Sequence, residues 1–150
     1  MKKLTFHIII DAPPQRVWEV LFGESTYPLW TCFFSEGSRA ETDWKKGSKA
    51  LFFDGGSQGM VAEIAESIPY EFLSIKHLGT IKDGVEDLTS EKSKAWSGFL
   101  ENYTLKKNGK TTELIIDLDD PREYKDFFEK TWPQALEKVK ELAEMNTTMA

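Results

Sequence analysis

The sequence has few of the residues that bind metals or form disulfides. Its 150 residues include one cysteine, Cys32, and two histidines. A single cysteine cannot form an internal disulfide, and these few residues lie too far apart to match a common zinc-site spacing. We therefore predict no metal site and no cofactor, and we take a reducing, cytoplasmic location as the default.

Long apolar runs and an excess of positive charge are also absent. The apolar N-terminal stretch ends at Asp11, so it is too short for a signal-peptide core or for a membrane span. The net charge is −6 at pH 7, which works against electrostatic binding to nucleic acid or to anionic lipid. We expect no nucleic-acid partner and no stable insertion into a membrane.

Aromatic residues, by contrast, are abundant. They make up 13% of the chain, with ten Phe and five Trp. A chain of this length can bury a core without disulfides or metals, so we predict one domain over residues 1–150, with a frayed tail at 146–150. The rings must then either fill that core or surround a space within it.

The first part of the chain predicts one strand followed by two short helices. Apolar and polar residues alternate over 4–10, which is typical of a strand. Pro13 and Pro14 suit the first turn of a helix over 13–22, whose apolar residues recur every three or four positions. A second short helical turn is expected around Pro28.

The middle of the chain predicts an antiparallel sheet. Turn signals such as DGGSQG separate short segments with the composition of strands. The polar, glycine-containing segment 80–95 is predicted to be a surface loop. We place six strands near 38–44, 48–54, 58–68, 70–79, 96–106 and 111–118.

The sequence NGK at residues 108–110 predicts one hairpin in more detail. Asn108-Gly109 suits a two-residue type I′ turn, which fixes the register of the flanking strands. Opposed residues share a face, so Glu101 is placed among apolar side chains on the core face. A β-bulge would instead turn Glu101 to solvent. The predicted pairs are Leu105 with Thr112, Tyr103 with Leu114, Glu101 with Ile116, and Phe99 with Leu118.

The C-terminal segment predicts a long amphipathic helix. Asp120 is a candidate N-cap, Pro121 suits the first position, and apolar residues recur at helical spacing to about residue 145. Pro133 lies inside this pattern and should kink the helix or restart it. The element order is strand, two helices, six strands, long helix. We predict an α+β fold in which a curved antiparallel sheet of about seven strands wraps around the last helix.

Three segments carry a resemblance to a known family. APPQRVWEVLF, residues 12–22, resembles the first helix of the START-like superfamily (SRPBCC, Bet v 1-like), whose fold is the helix-grip. GGSQGMVAEIAESIPYEFLSIKHLG, residues 55–79, resembles the Gly-x-Val-x-Glu strand pair of its subfamily similar to the C-terminal domain of the activator of Hsp90 ATPase. TWPQALEKVKELAE, residues 131–144, resembles the closing helix of that group. The resemblance covers residues 4 to 145.

This resemblance implies a deep cavity between the sheet and the long helix. Members of the superfamily often use that cavity for apolar small molecules. They include lipid carriers, hormone receptors and polyketide cyclases, and they share no catalytic set. The resemblance therefore assigns no catalytic residue to this chain, and it speaks to fold more than to function.

Two titratable residues are candidates for the polar part of such a cavity. Glu101 on an apolar sheet face must be neutralised, paired or hydrated, so it is either a polar anchor or a general base. The alternative to either role is that Glu101 pairs with a lysine or with a backbone donor at the end of the sheet. His77 shares the inward set with Leu73 and Ile75, where it could move protons or orient a ligand. The alternative is that His77 is a structural residue at the end of a strand, with its hydrogen bonds satisfied by the protein.

Large rings are the candidates for the cavity walls. Any one of these rings could instead simply pack in the hydrophobic core. Together, so many rings on a curved sheet and its helix tend to leave a space that a ligand fills. The candidates are Trp30, Trp44, Phe99, Tyr103, Phe127, Phe128 and Trp132.

We therefore predict a non-enzymatic protein that binds a small apolar or amphipathic molecule. The first alternative, implied by the resemblance, is a protein-interaction domain that associates with a chaperone. The second is an enzyme of the cyclase or hydratase kind, with Glu101 and His77 as acid and base. We expect a monomer or a weak homodimer.

Overall fold

A computed structural model describes residues 3–145, in which a curled antiparallel sheet surrounds a long C-terminal helix. The predicted frayed tail at 146–150 lies outside these residues. The helices are α1 (Pro14–Phe22), α2 (Tyr27–Thr31), α3 (Glu91–Trp96) and α4 (Lys125–Glu144). The strands are β1 (Leu4–Ile10), β2 (Arg39–Glu41), β3 (Lys49–Phe53), β4 (Gly59–Ile68), β5 (Phe72–Lys82), β6 (Val85–Asp87), β7 (Leu100–Asn108) and β8 (Thr111–Leu118).

The sheet is antiparallel throughout. Seven strands pair in the order β1-β8-β7-β5-β4-β3-β2, and β6 pairs with β5 beside this path, so residues 3–145 contain eight strands. The pairing of β4 with β5 shifts register between Val61 and Ala62 and again between Ile64 and Glu66. Such bulges bend a strand and increase its twist, which curls the sheet. The predicted α+β helix-grip fold of about seven strands is confirmed.

The predicted register of the β7–β8 hairpin is wrong by two residues. Asn108 pairs with Thr111, so the loop consists of Gly109 and Lys110, and Glu101 faces Leu118. Gly109 has φ 63° at the first loop position, as a type II′ turn requires, whereas a type I′ turn would need a second positive φ. Because side chains alternate with a period of two, the shift leaves Glu101 on the predicted face.

The segment predicted as a surface loop, 80–95, contains regular structure. β5 continues to Lys82, turns at Asp83-Gly84, and pairs with β6. α3 follows, and the Ser90 hydroxyl caps its N-terminus by accepting a hydrogen bond from the Ser93 backbone N–H at 3.2 Å. The backbone of His77 still hydrogen-bonds with Phe99 and Gly98. Beyond His77, β5 leaves β7, and this connection occupies the gap between the two strands.

The start of the last helix differs from its prediction. A 3-10 turn, Arg122–Tyr124, precedes α4, so Tyr124 and not Asp120 is the N-cap residue. α4 continues through Pro133 without a restart. Pro133 cannot donate to the carbonyl of Glu129, but Glu129 is exposed, so water can hydrogen-bond that carbonyl.

The core lies between the concave face of the sheet and one side of α1 and α4. Its largest fully buried side chains include Trp30, Tyr103, Leu21 and Ile64. α4 contributes a buried stripe at helical spacing, Trp132, Ala135, Leu136, Val139 and Ala143. Over residues 3–145, no helix is both long enough and apolar enough to cross a membrane.

Candidate functional site

A cavity of about 770 Å³ lies inside the curl of the sheet. Its walls come from α2, α3, the strands β3, β4, β5 and β7, and the first turns of α4. Buried rings form one end. At the other end, exposed residues form the mouth: Asp54, Gln58, Lys82, Lys92, Tyr124 and Phe127.

Three rings form the buried end. Trp30 lies 6.0 Å from Trp132 and 6.4 Å from Tyr103 between ring centroids, and Tyr103 lies 6.2 Å from Trp132. The indole N–H of Trp30 donates to the Leu21 carbonyl at 3.1 Å. Because that polar group is satisfied by the backbone, the Trp30 ring can face the cavity as an apolar wall.

Glu101 has two protein partners at the cavity wall. Its Oε1 lies 3.1 Å from Nε2 of His77, and its Oε2 accepts a hydrogen bond from the Tyr103 hydroxyl. The Glu101 side chain is 19% exposed and that of His77 is 10% exposed. Glu101 therefore has no lysine partner among the described residues, and no bulge turns it to solvent. Within the described chain, no lysine or arginine forms an ion pair with Glu101.

The negative charge of Glu101 affects two tyrosines. Burial, and then the charge of Glu101, raises the pKa of Tyr103 well above its usual value. The same two causes, in the same order, raise the pKa of Tyr27. Both hydroxyls therefore stay protonated and act as hydrogen-bond donors at ordinary pH.

His77 leaves one polar atom unused. Its Nε2 contacts Glu101, while its Nδ1 is buried with no hydrogen-bond partner among the residues described. The ring also lies 5.8 Å from Phe99 and 6.1 Å from Phe52 between centroids. An imidazole paired with a carboxylate can exchange a proton with a bound molecule, or it can simply hold the carboxylate in place.

The structure places eight of the nine predicted site residues on the cavity wall. They are Trp30, His77, Phe99, Glu101, Tyr103, Phe127, Phe128 and Trp132. Trp44 is not among the cavity-lining residues, which corrects its placement. β2 ends at Glu41, earlier than predicted, and Trp44 has φ 62°, so the strand alternation does not extend to it. Its ring packs behind the wall, against Phe22, Tyr27 and Phe52.

Sequence reasoning missed six of the twelve Phe, Tyr and Trp rings of the wall: Tyr27, Phe34, Phe52, Phe53, Trp96 and Tyr124. Phe52 could have been found, because the alternation of β3 places it on the same face as buried Ala50. Trp96 could not, because a strand is predicted over 96–106, whereas Trp96 is the last residue of the helix α3. Trp96 packs 5.1 Å from Phe99 and 5.5 Å from Tyr124.

Metal binding has no candidate cluster here. Across residues 3–145, no group of three or more His, Cys, Asp or Glu side chains is arranged to hold a metal ion.

A curled sheet around a long C-terminal helix is the helix-grip fold of the START-like superfamily. The sequence profile described as "Activator of Hsp90 ATPase homolog 1-like protein" matches residues 11–144. The chain belongs to this family. No curated protein matches the sequence.

Solved structures share the fold at low sequence identity. The solution structure of the Aha1 dimer from Colwellia psychrerythraea is 16% identical, with 98% of this chain and 99% of that chain covered and a TM-score of 0.72. ChR145 from Cytophaga hutchinsonii is 21% identical, with 100% and 98% covered and a TM-score of 0.70. DynU16, from the dynemicin biosynthetic locus, is 14% identical, with 97% and 48% covered and a TM-score of 0.71. At these identities the likeness is one of fold alone.

Proposed function

We propose that the protein binds a small apolar or amphipathic molecule in the cavity between the sheet and α4. The observation that carries this proposal is the cavity itself. Its volume of about 770 Å³ falls within the range of small-molecule sites. Twelve of its 27 lining residues are Phe, Tyr or Trp, and a largely buried polar group, Glu101 with His77 and Tyr103, lies among them. Such sites combine an apolar wall with a few polar groups that fix orientation.

The rings and the carboxylate have different roles in this proposal. Contact with Trp30, Trp132 and their neighbours removes apolar ligand surface from water, at about 25 cal/mol per Å² before the costs of association. Glu101 sets the direction in which the ligand lies. The half-exposed Phe127 and Tyr124 leave the mouth open for entry.

Native mass spectrometry of the purified protein, followed by calorimetric titration of bound or trial molecules, tests this proposal. We expect a ligand whose affinity falls when the cavity is filled by Met60→Trp, because Met60 lines it. Leu29→Trp adds the same ring at an exposed position that does not line the cavity and should leave affinity unchanged. Absence of binding across a broad panel of apolar compounds, or equal affinity in the two variants, would contradict the proposal.

We propose association with a chaperone as the second candidate function. Its support is the match of residues 11–144 to the Hsp90-activator-like family. The Colwellia relative is described as an Aha1 dimer, so self-association belongs to the same proposal. Purified Hsp90 from the same cells should bind the protein, and this binding should change the ATPase rate of Hsp90. No binding and no rate change would remove this candidate. Both proposals assume a cytoplasmic protein, which cell fractionation checks.

Proton transfer by the His77–Glu101 pair is the third candidate. The 3.1 Å contact between Nε2 and Oε1 supports it, since a general base needs such a partner. Any conversion of a bound molecule found in the ligand screen should be lost in Glu101→Gln. Full activity of the Glu101→Gln variant would contradict a role of Glu101 in proton transfer.

A further inference from the structure

We propose that the cavity selects ligands with a protonated amine, which binds at the carboxylate of Glu101. This inference rests on the proposed function and specifies the chemical class of the ligand. The site carries a carboxylate in a wall of rings, and its two protein partners are an imidazole and a hydroxyl instead of a lysine or arginine.

The charge of the site favours cations over anions. With Glu101 ionised, the pair carries a charge of about −1 when His77 is neutral and about zero when His77 is protonated. In neither case is the net charge of the pair positive. A ligand anion would therefore lose its hydration without gaining a net opposite charge, which is unfavourable in a buried site.

Glu101 keeps hydrogen-bonding capacity for a ligand. A carboxylate has about four acceptor positions on its two oxygens. His77 uses one on Oε1, and the Tyr103 hydroxyl uses one on Oε2. An ammonium group donates up to three hydrogen bonds, and charge-assisted bonds to a carboxylate are stronger than neutral ones. The remaining acceptor positions therefore match an amine.

The surrounding rings favour the same class. The faces of Trp and Tyr rings attract cations, and the attraction grows when the cation is desolvated. Tyr103 contacts Glu101 through its hydroxyl, and the charge of Glu101 also acts on Tyr27, so two electron-rich rings lie near the carboxylate. Trp30 packs against both, with its ring centroid 6.4 Å from that of Tyr103 and 5.4 Å from that of Tyr27. The hydrogen bond from the Tyr103 hydroxyl holds the Tyr103 ring next to Glu101.

The charged residues at the mouth do not reverse this preference. Lys82 and Lys92 border the cavity together with Asp54 and Asp87, so the lysines are matched by an equal number of acids. A carboxylate ligand has no unbalanced positive charge there. Further inside, the acidic residue that lines the cavity is Glu101, and its titratable partner is His77.

Three probes that differ in a single group test the inference. Naphthylethylamine, naphthylethanol and naphthylacetate, substituted at the same ring carbon, are titrated calorimetrically into the protein at pH 7. We expect the amine to bind at least about tenfold more tightly than the carboxylate, equivalent to about 1.4 kcal/mol. Equal or tighter binding of naphthylacetate or naphthylethanol would overturn the inference. This comparison needs no substitution in the protein.

Substitution of the anchor provides the second arm. Glu101→Gln should weaken binding of the amine about tenfold and remove the preference over the carboxylate. Glu113→Gln makes the same chemical change on the outer face of β8 and should leave all three affinities unchanged. Unchanged amine binding by a folded Glu101→Gln protein would overturn the inference.

The amine preference and the binding function are distinguished by different outcomes. If naphthylethanol or naphthylacetate binds as tightly as the amine, and Met60→Trp blocks that binding, the amine preference is wrong and the binding function stands. If none of the probes or of the broad panel binds, both are wrong.

Discussion

Arg16 in α1 donates a hydrogen bond from Nη2 to the carbonyl oxygen of Leu142, in the last turns of α4, at 3.0 Å. The last carbonyls of a helix have no donor within the helix, and a cation there also interacts favourably with the helix dipole. Arg16 therefore fastens the end of the helix that the sheet surrounds.

Removal of this contact should destabilise the protein. Arg16→Met keeps much of the apolar stem and loses the donor and the charge, so we expect a loss of about 1–2 kcal/mol in the free energy of unfolding. Urea denaturation followed by circular dichroism measures it. Lys138→Met, which removes a largely exposed pair with Glu141 on α4, should change stability by less than about 0.5 kcal/mol. Equal effects of the two substitutions would show that Arg16 has no capping role.

Gly59 is the position where an added methyl group should be tolerated least. A Cβ there would lie 1.9 Å from the carbonyl oxygen of Phe52 on the paired strand β3. We expect Gly59→Ala to cost about 3 kcal/mol or more, because backbone on both strands would have to move. A Cβ at Gly84 would have no atom within 4 Å, but the alanine would have to adopt φ near +79°. We therefore expect Gly84→Ala to lower the free energy of unfolding by about 1–2 kcal/mol. Thermal unfolding of both variants tests this order, and the reverse order would contradict it.

The buried tyrosines predict a stability change at alkaline pH. The folded protein raises the pKa of Tyr27 and Tyr103 by burial and by the charge of Glu101. A raised folded-state pKa means that the stabilisation is complete below the ordinary tyrosine pKa, about 10, and is lost as the pH rises above it. Absorbance titration should show these two tyrosines ionising only as the protein unfolds. In Tyr103→Phe, one fewer tyrosine should ionise in that step; a count unchanged from that of the parent protein would contradict the assignment.

Asp87 predicts an effect at the acid end of the pH range. Hydrogen bonds from the side chain and backbone of Ser90, and from the backbone of Thr89, lower the pKa of Asp87 to about 2. A lowered folded-state pKa means that its contribution is present above the usual value of 3.8 and is lost as the pH falls toward 2. Carboxyl NMR titration should find this value. Asp87→Asn should increase amide exchange in α3 at neutral pH, and a titration midpoint near 3.8 would contradict the prediction.

Much of the fold could be predicted because its signals are periodic. Alternation over β1 and the helical stripe of α4 both predicted which side chains are buried. The exact hairpin register could not be predicted, because Asn108-Gly109 and Gly109-Lys110 are both plausible two-residue loops. Glu101 stayed on the predicted face only because the error was an even number of residues.

The site was predictable where it lies on regular strands. Glu101 and His77 meet because β7 and β5 are neighbours, and strand alternation placed both on the inner face. Trp44 was misplaced because its strand ends early, and Trp96 was missed because the helix that carries it is polar and only six residues long. Short elements of this kind are defined by caps and tertiary contacts, which single-sequence periodicity does not report.

The separation of β5 from β7 beyond His77 has a consequence for diversification. Residues 83–97 span that gap, whereas the pairs of β5 with β7 and of β7 with β8, such as Ile75 with Glu101 and Tyr103 with Ile116, lie outside it. The length of this one connection can thus change without altering a register elsewhere in the sheet. The width of the cavity mouth can therefore evolve, or be engineered, through insertions and deletions at a single place in the chain, while the pairing of the strands stays the same.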